Sequence, residues 1–433
     1  MIDLHKRSRR FGKKKAIIEQ YNVDLLCFFN SFKTHKGSST KHYRIYCINF
    51  KSDGKNNSHR ELRDHSRLNQ LSHKGKRCYY SVQPLLSTMD PEIIFDDIGS
   101  YPLPEGISRD WIEQAVKSRA EDERLFKIIS EAMEQKIAAG VEVPTYPQFQ
   151  DMNKQYLRII NDPELTEAPL MVRESEAKIL ELEALLAMGA MYKKEHNKPL
   201  DIRVCVTGPV ELYLKEFGGT SYGDVLLTFA KSIDRFVKNS IGHSGDLNVA
   251  IVSIDEPSIG INPQIMLNDE DIIKALTAAG ESAHKHGIDT EIHLHSPLNY
   301  KLACQVPSIN VIGVESAASP SYLQLIDHTD LQLSDTFLRL GIARTDIFGL
   351  TAVLNEKYNT NVWKETDKLM EVVTHMETPE VIAGRLLSAY GIFGDTIRYA
   401  GPDCGLGSWP SQKLAQELLS NTAKGIEIFC RNM

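Results

Sequence analysis

The sequence predicts an α/β protein, a (β/α)8 TIM-like barrel carried by residues 89–433. Three observations predict it. From residue 89 onward, short β-branched runs alternate with amphipathic helical runs, the pattern of a parallel sheet with crossover helices. Roughly eight such strands fall within about 345 residues, which suits a closed barrel better than an open doubly wound sheet. No Gly-x-Gly-x-x-Gly or P-loop pattern follows any strand, so neither a dinucleotide fold nor a phosphate loop is supported.

The elements follow in order. EIIFDDIGS (92–100) reads as the first strand, and SRDWIEQAVKSRAEDERLFKIISEAMEQKIAAG (108–140) as the helical run after it. RESEAKILELEALLAMGAMYKKE (173–195) is helical, and DIRVCVTGPV (201–210) is a β-branched run closed by a Gly-Pro turn. YGDVLLTFAKSIDRFVKNSI (222–241) is amphipathic; LNVAIVSIDEPS (247–258) is the next strand. DEDIIKALTAAGESAHKHG (269–287) precedes the strand DTEIHLHS (289–296), followed by INVIGVES (309–316), DLQLS (330–334) and FLRLGIA (337–343). TPEVIAGRLLSAYG (378–391), the strand TIRYAGPDCG (396–405) and the helix PSQKLAQELLSNTAKGIEIF (410–429) complete the pattern.

Residues 1–88 differ in kind. They carry 19 Lys and Arg against 6 Asp and Glu, a net +13, whereas the remaining 345 residues carry 31 against 51, a net −20. YNVDLLCFF and YRIYCINF have strand character, but no sustained period surrounds them. The segment therefore reads as a basic extension of low order, with three origins open. It is an over-extended reading frame ahead of Met89, a disordered tail, or a basic arm for an anionic surface. It holds no recognisable nucleic-acid module, so nucleic acid is not an expected partner.

The hydrophobic fraction of 42% leaves ample material for a core, and no apolar run reaches the length of a membrane span. No secretory signal is read at the N-terminus. The seven cysteines are scattered, odd in number and free of Cys-x-x-Cys pairs, which argues against a disulfide framework and for a reducing cytoplasm.

Polar residues gather at the C-terminal ends of the predicted strands: Asp96, Asp97, Ser100, Asp255, Glu256, His293, His295, Glu315, Asp335, Arg344, Asp346, Asp403 and Cys404. In a barrel those ends form one face, where such folds carry out chemistry. Within this set His295, Glu315 and Cys404 make metal sense, since imidazole, carboxylate and thiolate all bind zinc and a catalytic zinc typically has three protein ligands plus an open position. His293 alternates onto the same side as His295. It reads as a core histidine bonded to a backbone carbonyl, with the role of an extra ligand left open.

DDIGSYPLP (96–104), VTGPV (206–210), IDEPS (254–258), IHLHSP (292–297), VIGVES (311–316) and GPDCGLGS (401–408) occur in an order that resembles the catalytic barrel of the cobalamin-independent methionine synthase family. The resemblance spans 89–433, and its wider relatives are the uroporphyrinogen decarboxylase-like barrels. It implies a zinc-bound thiol acceptor held by a His, a Glu and two Cys. His295, Glu315 and Cys404 match three of these, and Pro297, which cannot bind metal, stands where the first Cys falls. It also implies an amino-acid pocket at Ile98, Gly99 and Ser100, with Asp255 holding the substrate amino group. Short, single-barrel members take methyl from a corrinoid protein, so the expected reaction is transfer from a methylated corrinoid to homocysteine, giving methionine. A different thiol such as coenzyme M, or a non-catalytic relative of the barrel, is the alternative.

Overall fold

The computed structural model describes residues 92–242, 245–263 and 265–433, with five short strands upstream at 15–17, 25–30, 44–49, 71–73 and 76–78. The chain divides into two units, Met1–Met89 and Asp90–Met433. In the first, Lys15–Ile17, Leu25–Asn30 and Arg44–Asn49 form an antiparallel sheet, and Leu71–His73 pairs with Lys76–Cys78. Arg44–Asn49 falls within YRIYCINF, and Leu25–Asn30 covers the end of YNVDLLCFF and one residue beyond it. Otherwise the expectation of a low-order extension over 1–88 lies outside the described residues.

In the second unit seven strands run parallel: β1 (Ile94–Phe95), β2 (Leu200–Thr207), β3 (Leu247–Asp255), β4 (Asp289–Leu294), β5 (Val311–Val314), β6 (Phe337–Ala343) and β7 (Ile397–Pro402). β7 pairs with both β6 and β1. The segment 143–148 bridges Asp96 through Val143, Ser100 through Gln148 and Arg203 through Thr145, all in parallel. It is the eighth stave, and it links β1 to β2 so that the sheet curls into a TIM-like barrel.

The eighth strand is therefore not DLQLS (330–334). Those residues end the helix His328–Ser334, which Asp327 caps by accepting from the Thr329 N–H at 2.8 Å. The Leu331/Leu333 alternation that mimics a strand is one-sided, because Leu331 is buried and Leu333 is exposed. The true stave contains Pro144 and Pro147, which hide its strand character. Backbone bonds to Phe95, Gly99 and Arg203 are joined by side chains: Asp97 accepts from the Thr145 N–H at 2.8 Å, and buried Lys136 donates to the Thr145 carbonyl at 2.9 Å while pairing with Asp97 at 2.7 Å. The 108–140 run also breaks, at Arg119 with φ 55°, into Arg109–Ser118 and Asp122–Ala138. The 269–287 run breaks at Gly280.

Alternation along each strand separates two environments. Ile202, Val204, Val206, Val252, Ile254, Ile292, Leu294, Leu338, Leu340 and Ile342 are buried in the main apolar core. The intervening positions fill the barrel in layers, drawn from alternate staves. At the bottom Val143, Ile251, Val311 and Tyr399 form a small apolar cluster. The next layer, Asp96, Arg203, Glu291 and Arg339, is wholly charged and wholly buried. Arg203 donates to Asp96 at 2.5 Å, to Ser253 at 2.8 Å and to both Glu291 oxygens at 2.5 and 3.0 Å. Arg339 donates to Asp96 at 2.9 Å and to the Pro402 carbonyl at 2.6 Å. Two positive and two negative side chains cancel, which is what makes their burial tolerable. Above them sit Gly313 and Gly401, whose missing Cβ atoms leave the space taken by Glu291 and by Arg339 and the Asp96 carbonyl.

Candidate metal and substrate site

Register brings the next residues together. Asp255, the last residue of β3, lies beside His293 of β4, and His293 lies beside Gly313 of β5. His295 and Glu315 stand just past the ends of β4 and β5, and Cys404 two residues past β7. Donor atoms of His293, His295, Glu315 and Cys404 all fall within 4.8 Å of one another. His295 Nε2 is 3.5 Å from Glu315 Oε1, and Cys404 Sγ is 3.8 Å from His295 Nε2. Zinc bonds of 2.0–2.3 Å in tetrahedral geometry place donors about 3.3–3.8 Å apart, so the set fits a metal such as zinc.

The electrostatics follow from burial. It lowers the pKa of His295, and it holds His293 well below the ordinary imidazole range, with His295, Arg339 and Arg203 pushing the same way. Both rings are thus neutral near pH 7, the form that binds metal. Burial raises Glu315 to about 8, helped by Asp403, and pushes the Cys404 thiol well up, helped by Glu315. These are the shifts expected of anions gathered in a dry site without a cation to neutralise them.

His293 is 2% exposed, and neither of its ring nitrogens has a hydrogen-bond partner. The expectation of a ring bonded to a backbone carbonyl is overturned. Its Nε2 points to Glu315 Oε1 at 3.8 Å, and that oxygen is itself without a hydrogen bond.

The expected amino-acid pocket is placed as follows. Asp255 is nearly buried, accepting from Ser253 Oγ at 2.7 Å and from the Cys205 thiol at 2.8 Å. Ile98 is buried, and the Gly99 carbonyl accepts from the Gln148 N–H at 2.9 Å. The Ser100 carbonyl accepts from the Leu406 N–H at 2.7 Å, and its Oγ accepts from the Gly407 N–H at 3.3 Å. A Cβ on Gly405 would collide with Ser100 Oγ, so glycine there lets the loop carrying Cys404 lie against the 98–100 turn.

Other members of the predicted cluster turn out to be structural. Asp96 belongs to the charged layer and Asp97 to the Lys136 pair. Asp403 accepts from the Ala317 and Ala318 N–H groups, at 2.8 and 2.7 Å, tying the loops after β7 and β5 together. Asp335 is a left-handed helix cap, and Arg344 pairs with Asp346. Arg203, Glu291 and Arg339 escaped the sequence reading, although a charge flanked by apolar residues in RVCV and FLRLGIA is the signal of an inward-facing position.

Glu256 points away from the site, into the start of the helix Pro209–Phe217, where it accepts from the Val210 and Glu211 N–H groups at 2.9 and 2.8 Å. Burial outweighs these bonds and raises its pKa from 4.5 to about 8. A raised carboxyl pKa means the folded state keeps a proton that the unfolded chain gives up. Its contribution is full below about pH 4.5 and is lost as pH rises toward about 8. Glu256→Gln, which cannot ionise, is expected to flatten the fall of stability between pH 5 and 8, read by denaturant unfolding at both values. An unchanged slope would remove Glu256 as its source.

Fold and cluster define the class: a TIM-type barrel with a His/Glu/Cys group able to hold a metal at the C-terminal ends of its strands. No family model matches the sequence, and no curated protein matches it. The structure is similar to that of a B12-independent methionine synthase from Shewanella sp. W3-18-1, solved in complex with selenomethionine. The TM-score is 0.50 and the identity 14%, over 78% of this chain and 98% of that one. A homocysteine methyltransferase from Escherichia coli, MmuM, in its apo form, also matches, with a TM-score of 0.39 and 11% identity over 78% and 98% of the two chains. Among the described residues no helix is long and apolar enough to cross a membrane.

Proposed function

We propose that this chain is a zinc-dependent methyltransferase that converts homocysteine to methionine. The observation that supports it most is the convergence of His295, Glu315 and Cys404 beside Asp255 at the mouth of the barrel. Zinc, when bound, keeps a coordinated thiol ionised at neutral pH, where a free thiol of pKa about 8.5 is only about 3% thiolate. His295, Glu315 and Cys404 would hold it. The solved methionine synthase with selenomethionine adds support through its fold.

The chain's own residues position the acceptor. Ser253 and Cys205 fix the Asp255 carboxylate, leaving it to pair with a substrate ammonium group. In the net reaction the acceptor sulfur forms a bond to the methyl carbon. The bond from that carbon to the donor breaks with its electron pair staying on the donor, and the thiol proton passes to solvent. The donor proposed is a methylated corrinoid, as the resemblance to short members implies.

Asp255→Asn tests the amino-acid reading. A hydrogen bond to a charged group is worth about 1.5–3 kcal/mol, so KM for homocysteine is expected to rise about 10-fold or more with zinc content unchanged. Coenzyme M, which has no amino group, should be indifferent to the change. An unaltered KM for homocysteine would contradict the role of Asp255.

A further inference from the structure

We propose that His293 is a fourth zinc ligand, taking the place in the coordination shell of the thiolate that Pro297 cannot supply. The inference rests on the zinc reading of the site and extends it from three protein ligands to four: two imidazoles, one carboxylate and one thiolate.

Three observations carry it. His293 is buried, and both of its ring nitrogens lack partners, whereas buried polar groups in folded proteins are almost always bonded. A cation at this point satisfies one of the two nitrogens, Nε2. The atom facing it, Glu315 Oε1, is also buried without a hydrogen bond, so two orphaned donors of electron pairs face each other across 3.8 Å. That gap matches the donor separation of a tetrahedral zinc shell, about 3.3–3.8 Å, as do the distances from His295 to Glu315 and from Cys404 to His295.

The fold explains how this ligand is available. His293 in β4 and His295 just past its end sit two residues apart, with ring centroids 5.3 Å apart. Gly313 on the neighbouring strand opens the space for the inner ring, since a Cβ there would stand 3.2 Å from His293 Nδ1. The other nitrogen, Nδ1, lies 3.9 Å from Glu291 Oε1 in the charged layer, which places a carboxylate behind the imidazole. Zinc with one carboxylate and one thiolate makes an electrically neutral centre, suited to a dry barrel interior.

X-ray absorption at the zinc edge of the wild-type protein reads the shell without any mutation. Two imidazoles, one sulfur and one carboxylate oxygen are expected; a single imidazole with one sulfur would overturn the assignment. Zinc affinity by competition with a chromophoric chelator adds a second readout on His293→Ala and His293→Gln. Both are expected to bind zinc at least about 100-fold more weakly, beyond the 10–100-fold that loss of an outer-shell partner costs. The unfolding midpoint of the metal-free Ala variant should be equal to or above that of the metal-free wild type, because an unsatisfied imidazole has been removed. Zinc affinity within about threefold of wild type in either variant overturns the proposal, while methyl transfer by wild-type protein would then leave the functional reading standing. A wild-type protein that binds no zinc overturns both.

Discussion

Cys404→Ala is expected to abolish stable zinc binding and, with it, methyl transfer. Cys404 is the only thiol in the four-residue cluster, and its loop is held against the 98–100 turn by the bonds from Leu406 and Gly407. Removing its sulfur takes away a bond to the metal and the negative charge that best offsets a dication in a buried site. Outer-shell losses alone cost 10–100-fold in affinity, so loss of this ligand is expected to exceed about 100-fold. Metal analysis after dialysis against chelator checks it. The fold should survive, because Cys404 makes no bond in the strand ladder, and unfolding of the metal-free variant should match metal-free wild type. Retention of one zinc per chain in Cys404→Ala would remove this residue from the site.

Arg339→Met is expected to be the most damaging change away from the cluster. Arg339 is fully buried and binds Asp96 and the Pro402 carbonyl, while Asp96 also receives Arg203. Methionine fills much of the volume but leaves the four-charge layer with one positive and two negative groups. Breaking a buried pair by removing one partner costs about 3–5 kcal/mol, mostly because a charge is left behind. The loss is read from denaturant unfolding of the metal-free protein. Combining it with Asp96→Asn, which removes the stranded charge, should recover part of the loss. A single-variant cost below about 1 kcal/mol would mean the layer relaxes or protonates without penalty.

Much of this architecture was legible because it follows from period. Strands such as RVCV and EIHL alternate an apolar residue for the helices with a polar one for the interior, and seven of the eight staves are legible as β-branched runs. The eighth was not, because Pro144 and Pro147 erase the strand signal and the stave is held in part by Asp97 and Lys136 from elsewhere in the chain. DLQLS takes its place because a short helix with two leucines two apart looks like alternation. At the site, residue type was enough to pick out His295, Glu315 and Cys404 as plausible donors. Their mutual distances depend on strand register and loop path, which no local pattern encodes. The partnerless state of His293 was also invisible, since it depends on what the neighbouring strands place around the ring.

A zinc site that activates a thiol for methylation is the core of the proposed function. It is tested most directly by incubating zinc-loaded protein with methylcobalamin and offering homocysteine and coenzyme M in parallel. Methionine from homocysteine is expected, with little product from coenzyme M and none of either with Cys404→Ala. Absence of turnover with both thiols in zinc-loaded wild-type protein, or equal turnover in the Cys404→Ala variant, would contradict it.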